Sequence, residues 1–292
     1  MILVAGGTGR LGTAVVSQLC ERGERVRVLS RGLAQQMRPP DSRAELVEGD
    51  VRDPATVRQH LEGVTSIVSA VQGFAGPGGV TPDSVDRAGN ECLFDAAERV
   101  GADIVMVSTL GAAADSPMDL MRAKYAAEQR LRSGTARWTI VRPEAYAETW
   151  VGLLEETAGG SHRPLVFGRA DNPIRWVSVT DVAALVDRAL LDASLRGRVL
   201  EICGPQALTL RELAEAVMLQ HGWPGEPRNV PRAMLHLMAN TIGRARPEMG
   251  RQARAALVMD ELPLADDTAV RAELADLPST PVSEVLATLS RA

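Results

Sequence analysis

The stretch Ile2-Leu3-Val4-Ala5-Gly6-Gly7-Thr8-Gly9-Arg10-Leu11-Gly12 decides the fold. Four apolar residues run straight into glycines at 6, 7, 9 and 12, and Leu11, Val15 and Leu19 then recur at helical spacing. The pattern reads as strand, glycine turn, amphipathic helix. Gly7, Gly9 and Gly12 fill a Gly-x-Gly-x-x-Gly form, and Gly6, Gly9 and Gly12 a looser Gly-x-x-Gly-x-x-Gly form. In this context glycine serves a tight turn, a close approach of phosphate to backbone and a close helix–strand contact. The free N–H groups and positive dipole end of the helix then hold the phosphates of a dinucleotide. Gly6, Thr8, Gly9, Arg10, Leu11 and Gly12 are the expected cofactor-binding residues of this turn.

Outward from the turn, strand and helix signals alternate. Strands are expected at 1–5, 25–29, 45–49, 65–71, 103–108 and 137–141, with continuous apolar runs such as Ile104-Val105-Met106-Val107. Such runs suit a parallel sheet covered on both faces. Helices are expected near 10–22, 54–61, 83–100 and 118–132, and Asp53-Pro54 supplies an N-cap with proline at the first helical position. Segment 72–82 reads as a glycine- and proline-rich loop. Beyond Pro143 short strands are expected at 164–168, 174–179 and 198–202, with helices from Thr180 and Thr209. From about 222 the chain reads as mostly helical, interrupted by Pro224, Pro227, Pro231 and Pro247. The expected architecture is α/β: a doubly wound parallel sheet (Rossmann) with a smaller, mainly helical C-terminal substrate lobe. Residues 1–145 form the expected nucleotide core, and 146–292 add strands and the lobe, interleaved with it.

The second strand indicates which nucleotide. An Asp or Glu near its end marks NAD(H), because it binds the ribose 2′-OH. Here the strand ends Ser30-Arg31-Gly32, without an acid. A guanidinium pairs with a 2′-phosphate in bidentate fashion. Arg31, with Arg10 from the other side, therefore favours NADP(H) over NAD(H); the alternative is a solvated loop arginine.

Global composition narrows the classes further. The chain has 292 residues, 45% hydrophobic and 24% charged, with a net charge of −5. These values suit a soluble globular protein, and no basic cluster with interleaved aromatics offers a nucleic-acid surface. Cys20, Cys92 and Cys203 lie far apart, with neither disulfide-framework nor zinc spacing. His60, His162, His221 and His236 have no metal-ligand spacing and read as surface or loop residues. The chain opens inside its first strand, which leaves no room for a signal peptide, and no apolar run spans a bilayer. A cytoplasmic protein with a small-molecule substrate is expected, with no nucleic-acid or membrane partner, as a monomer or homodimer.

Further motifs accumulate in order along the chain: Gly49-Asp50-Val51-Arg52-Asp53, Ser69-Ala70-Val71, Val107-Ser108-Thr109, Lys124 with Glu128, Trp138-Thr139-Ile140-Val141-Arg142-Pro143, Val177-Ser178-Val179-Thr180-Asp181-Val182-Ala183 and Cys203-Gly204-Pro205. With the glycine turn, they resemble the NmrA-like, atypical short-chain dehydrogenase/reductase family of NAD(P)H-binding proteins. The resemblance implies that Asp50 and Val51 meet the adenine and that Ala70 and Val71 lie along the ribose and pyrophosphate. It also implies that Ser108 and Lys124 face the cofactor or substrate.

Typical members of the wider group carry Tyr-x-x-x-Lys on the helix after the fifth strand. There the tyrosine transfers a proton, and the lysine one turn on lowers its pKa and binds the nicotinamide ribose. This chain has Lys124, but Leu120 stands one turn before it. Tyr125 is adjacent to Lys124 and points about 100° away around the helix. Three readings stand for Lys124: ribose binding with acid catalysis, as in isoflavone-reductase-like enzymes; ribose binding alone; or a surface contact with Glu128. Tyr146 resembles the family's pocket aromatic and is the second catalytic candidate, with Trp150 one turn on; packing at the sheet edge is the other role for both. Ser108 and Thr109 either bond a substrate oxygen or simply end their strand. Thr180-Asp181 reads as helix capping.

Two functions follow as expectations. One is an NADPH-dependent reductase passing hydride to a small conjugated carbonyl or quinone-type substrate without the usual tyrosine. The other is a non-catalytic NADP(H)-binding sensor or regulator. Sugar-nucleotide epimerase or dehydratase chemistry ranks below both, since it relies on the missing tyrosine.

Overall fold

Runs of valine, isoleucine and leucine build the central layer. The computed structural model describes residues 1–32, 41–74, 79–243 and 246–290. Its main sheet has seven strands: β1 (Ile2–Ala5), β2 (Val26–Ser30), β3 (Glu45–Glu48), β4 (Ser66–Ser69), β5 (Asp103–Val107), β6 (Trp138–Pro143) and β9 (Arg198–Ile202), in the order β3-β2-β1-β4-β5-β6-β9. From β3 to β6 every neighbouring pair is parallel, with Ile2 opposite Val26 on one side and Ser66 on the other. The chain winds outward from β1 to β3 and returns to β4 on β1's other side. That reversal leaves a crevice at the carboxyl ends of β1 and β4, the usual ligand position in such sheets.

Contact density divides the chain into two units: residues 1–142 with 179–201, and residues 143–178 with 202–292. In the first unit, successive residues of each strand face opposite sides of the sheet. Leu3, Ala5, Leu29 and Ile67 enter a core with Val57 of α2 (Pro54–Gln59), Leu93 and Phe94 of α3 (Ala88–Val100) and Leu131 of α4 (Asp119–Arg132). Each such fully buried aliphatic or aromatic side chain contributes about 1.5–3 kcal/mol. On the other face α1 (Arg10–Glu21) packs on α6 (Val179–Leu191), and Arg22 reaches Asp187 at 2.6 Å. Asp53 caps α2 through the Ala55 amide at 2.9 Å, with Pro54 at the first position.

The expected helix over 83–100 divides. Asp83–Arg87 form one π-helical turn and α3 follows. Of the expected loop 72–82, residues 75–78 lie outside the described residues, as do 244–245 and 291–292 of the C-terminal lobe.

The second unit gathers α5 (Ala147–Ala158), α7 (Leu210–His221) and helix Val282–Leu289 around Trp176, Leu154, Leu213, Val217 and Val285. Thr209 and Glu212 form a complete capping box on α7, a device contributing about 1 kcal/mol. Strand β7 (Leu165–Phe167) pairs in parallel with β11 (Arg228–Val230), and β8 (Pro173–Ile174) antiparallel with β10 (Leu208–Thr209). The expected strand at 174–179 is thus only two residues long. Arg175, Trp176 and Val177 continue extended, but their partners are single contacts: the Gly204 amide donates to the Arg175 carbonyl, and Val177 bridges Tyr146. Strand β11 was hidden in a stretch expected to be helical, although Pro227 and Pro231 on either side of it disfavour helix. Among the described residues no helix is long and apolar enough to cross a membrane.

Candidate nucleotide and active site

The glycine turn is bent by contacts that exclude side chains. Gly6 has φ +82°, in the left-handed region, and a Cβ there would stand 2.5 Å from the Ala70 carbonyl oxygen. A Cβ on Gly12 would stand 2.1 Å from the Gly6 oxygen. Gly9 differs: its φ is −79°, and an added Cβ would meet only the Gly6 oxygen at 3.4 Å. The protein itself asks little of Gly9, so the demand for glycine there comes from what approaches the turn.

Gly9 is the N-cap of α1, and no side chain caps the helix or places an acid in its first turn. First-turn amides have no intrahelical acceptor. The amides of Arg10, Leu11 and Gly12 thus form an uncapped positive end beside Ala70. Thr8 has no hydrogen-bond partner for its hydroxyl among the described residues, and Arg10 is exposed.

At the end of β2, Arg31 is exposed and makes no hydrogen bond or ion pair among the described residues. Asp50 lies close enough for the Arg31 charge to act on it. Burial pushes the Asp50 carboxyl up, but hydrogen bonds and charge from Arg52, with Arg31 adding to them, hold it below its usual range. Arg52 Nη2 stands 2.6 Å from Asp50 Oδ2. Val51 beside it is buried.

Lys124 is almost wholly enclosed, at 4% exposure. Its Nζ donates to the carbonyls of Val71 and Val107, each at 2.9 Å, and stands 3.0 Å from Asp86 Oδ1. The contact with the Asp86 carboxylate has the geometry of a buried salt bridge. Asp86 Oδ1 takes the charge contact obliquely, without a well-directed hydrogen bond, while Oδ2 accepts the Gly73 amide at 2.8 Å. Burial pushes the Asp86 carboxyl above its ordinary value, against the opposing pull of Lys124 and Gly73.

Lys124 does not pair with Glu128. That carboxylate, fully buried, accepts the Ser108 hydroxyl and a two-pronged contact from Arg142 at 2.9 and 2.6 Å; Arg142 also reaches Glu201 at 3.2 Å. Ser108 is therefore committed within the protein. The hydrogen bonds that Arg142 donates to Glu128 and the charges of Glu128 and Glu201 hold its guanidinium above its ordinary value.

The first unit thus brings Gly6 to Gly12, Ala70, Val71, Ser108 and Lys124 to the carboxyl ends of β1, β4 and β5. Leu120, one turn before Lys124, is buried and apolar. Asp86 escaped the sequence reading. It shares a helical face with Asn90, Leu93 and Ala97, all buried, and two polar residues on an apolar face were the available signal.

Tyr146 belongs to the second unit, as N-cap residue of α5. Its hydroxyl is buried and has no hydrogen-bond partner among the described residues. Burial, with the Glu148 charge adding, pushes its pKa well above the ordinary phenol value. Trp150 stacks at a tilt on Trp176, centroids 5.5 Å apart, and joins that unit's apolar cluster. A crevice there is lined by Trp150, Phe167, Asn172, Trp176 and Met259. Asp181, in the first turn of α6, is buried. Among the described residues no group of His, Cys, Asp and Glu is arranged to hold a metal.

A doubly wound sheet whose first turn carries an uncapped, glycine-lined helix end defines a dinucleotide-binding Rossmann protein. The family model for NAD(P)H-binding domains matches residues 6–193, and the chain belongs to that family. An NAD(P)H azoreductase of Xenophilus azovorans is 29% identical over 227 residues, 77% of this chain and 75% of that protein. An NADPH-dependent quinone oxidoreductase of Escherichia coli, solved with NADPH, matches with a TM-score of 0.79 at 22% identity over 99% of both chains. A triphenylmethane reductase of a Citrobacter species, solved with NADP(H), gives 0.75 at 19% identity, again over 99% of both. At these identities the two structures show the shared fold.

Proposed function

We propose that this NAD(P)H-binding oxidoreductase uses NADPH to reduce a small conjugated carbonyl or quinone-type acceptor. The observation that carries the reading is Gly9, a glycine the fold does not need, at the uncapped end of α1. That end binds the pyrophosphate. Arg31, without a hydrogen bond or ion pair among the described residues and at the end of an acid-free β2, takes the 2′-phosphate with Arg10, which favours NADP(H) over NAD(H). Asp50 and Val51 border the adenine, Ala70 and Val71 the ribose and pyrophosphate, and Lys124 turns to the nicotinamide ribose.

Bound NADPH supplies the hydride. The protein's part is then mostly orientation, because an electron-poor acceptor asks for little acid catalysis. Tyr146 is the proposed hydrogen-bond donor to the acceptor's oxygen: its hydroxyl is buried and has no partner among the described residues, and such a group gains most from an acceptor. The names of the azoreductase and quinone oxidoreductase relatives support a conjugated acceptor. The proposed setting is the cytoplasm, as a monomer or homodimer.

One observation favours a second reading. The Lys124 ammonium is fully surrounded, and Leu120 holds the place of a proton donor. That combination suits a nucleotide sensor. Titration with NADPH and NADH, followed by a panel of quinones, enones and azo dyes with cofactor absorbance as readout, separates the two. Turnover supports the reductase; tight binding without turnover across the panel supports the sensor. Arg31→Ala is expected to weaken NADPH about tenfold to a hundredfold, as loss of a charge-assisted contact does, and to leave NADH unchanged. Equal weakening of both nucleotides would remove Arg31 from 2′-phosphate recognition.

A further inference from the structure

The Lys124 ammonium has three protons, and three protein oxygens surround it. Two protons are donated to the Val71 and Val107 carbonyls and none is well directed at Asp86 Oδ1, so the third is the one a ribose hydroxyl can accept. The Val71 and Val107 carbonyls are neutral; among the described residues Asp86 alone carries an opposite charge within ion-pair distance of Nζ. A buried ammonium stripped of its counter-charge is strongly disfavoured, and a ribose brings no charge to replace it. The carboxylate must therefore stay in place while the ribose hydroxyl takes the third proton's hydrogen bond.

The surroundings of Asp86 hold it for that task. Its Oδ2 is fixed by the Gly73 amide at 2.8 Å. Its backbone carbonyl accepts Asn90 Nδ2 at 2.7 Å, and Asn90 Oδ1 accepts the Ser69 hydroxyl at 2.6 Å. Ser69, Asp86 and Asn90 are all wholly buried. The π-turn Asp83–Arg87 sets the register in which Asp86 faces inward, and single π-turns recur at functional sites.

We infer that Asp86 is a positioning residue of the nucleotide site, supplying the counter-charge that keeps the Lys124 ammonium in place beside Val71 when a nucleotide ribose draws on it. The inference rests on the nucleotide reading above. Asp86 touches no ligand; it acts through Lys124.

The test is NADPH titration of the full chain from about pH 6 to about pH 9, for wild type, Asp86→Asn, Lys124→Met and the double variant. No binding by wild type at any pH overturns the nucleotide reading and this inference with it. Given wild-type binding, Asp86→Asn is expected to lose about tenfold in affinity relative to wild type across that range, as the uncompensated amine sheds its proton. In the Lys124→Met background, Asp86→Asn is expected to add no further loss. A pH-independent loss of equal size in both backgrounds makes Asp86 merely a staple for Gly73 and overturns the inference. Should Asp86→Asn fail to fold, Asp86→Glu replaces it. Its charge is expected to preserve the wild-type pH profile, and a sloping profile overturns the inference.

Discussion

Gly9 and Gly12 lie three residues apart and have opposite reasons to be glycine. A methyl on Gly12 would overlap the Gly6 carbonyl at 2.1 Å, and neither is free to move. Gly12→Ala is expected to cost about 1–3 kcal/mol of stability, as overpacking does, measured by denaturant unfolding. A methyl on Gly9 meets only an ordinary contact at 3.4 Å. Gly9→Ala is expected to stay within about 1 kcal/mol of wild type while weakening NADPH at least about tenfold, measured by cofactor fluorescence. An unaltered affinity in a folded Gly9→Ala would disconnect this turn from the nucleotide. The turn was legible in sequence because its meaning is local: glycine spacing between a strand and a helix. Asp86 was not, because its role depends on Lys124, thirty-eight positions away in sequence, and on a turn that departs from ordinary helical register.

Strand β5, helix α4 and strand β6 are joined by Ser108, Glu128 and Arg142, one from each element or its end. Removing one partner of such a buried pair strands the other. Glu128→Ala is therefore expected to destabilise by about 3–5 kcal/mol. Glu98→Ala, which loses a half-exposed pair with Arg130 at 3.2 Å, should cost under about 1 kcal/mol. Comparable losses in urea unfolding would show that Glu128 is less enclosed than described. At this scale the parallel strands were readable, because continuous apolar runs leave few other fates. The chain over 174–179 was misjudged because buried apolar residues such as Ile174, Trp176 and Val177 suit extended backbone without supplying a neighbouring strand. The sequence motif around Ser108 indicated a residue at the site, and it is the Glu128 carboxylate, unreadable from local pattern, that commits its hydroxyl elsewhere.

The response of the whole molecule to acid follows from its carboxylates. Asp41 is held down to about 2 by hydrogen bonds from Arg43. Hydrogen bonds from Arg87, Arg130, Ser194 and Thr268 hold Asp83, Glu98, Asp192 and Asp266 below their ordinary values. Between those ordinary values and the lowered ones, the unfolded chain binds protons that the folded chain does not. Their stabilisation is complete above the ordinary carboxylate range and is lost as pH falls toward about 2. Asp50 is held low in the same way, and Asp86, raised by burial, acts in the opposite sense. The melting temperature is thus expected to hold near neutrality and drop steeply below about pH 4; a flat profile down to pH 3 would show that these pairings do not persist in solution.

The polypeptide passes from one unit to the other after residues 142, 178 and 201, and that threading governs how the protein can be made. Helix α6 comes from the later segment, yet it is what covers α1 from the opening one. A ribosome that has just released Arg142 holds a sheet with one apolar flank still bare, and must finish α6 before the flank closes. Nascent chains stalled in that interval should recruit chaperones, and a fragment cut after Arg142 should aggregate where the intact protein does not.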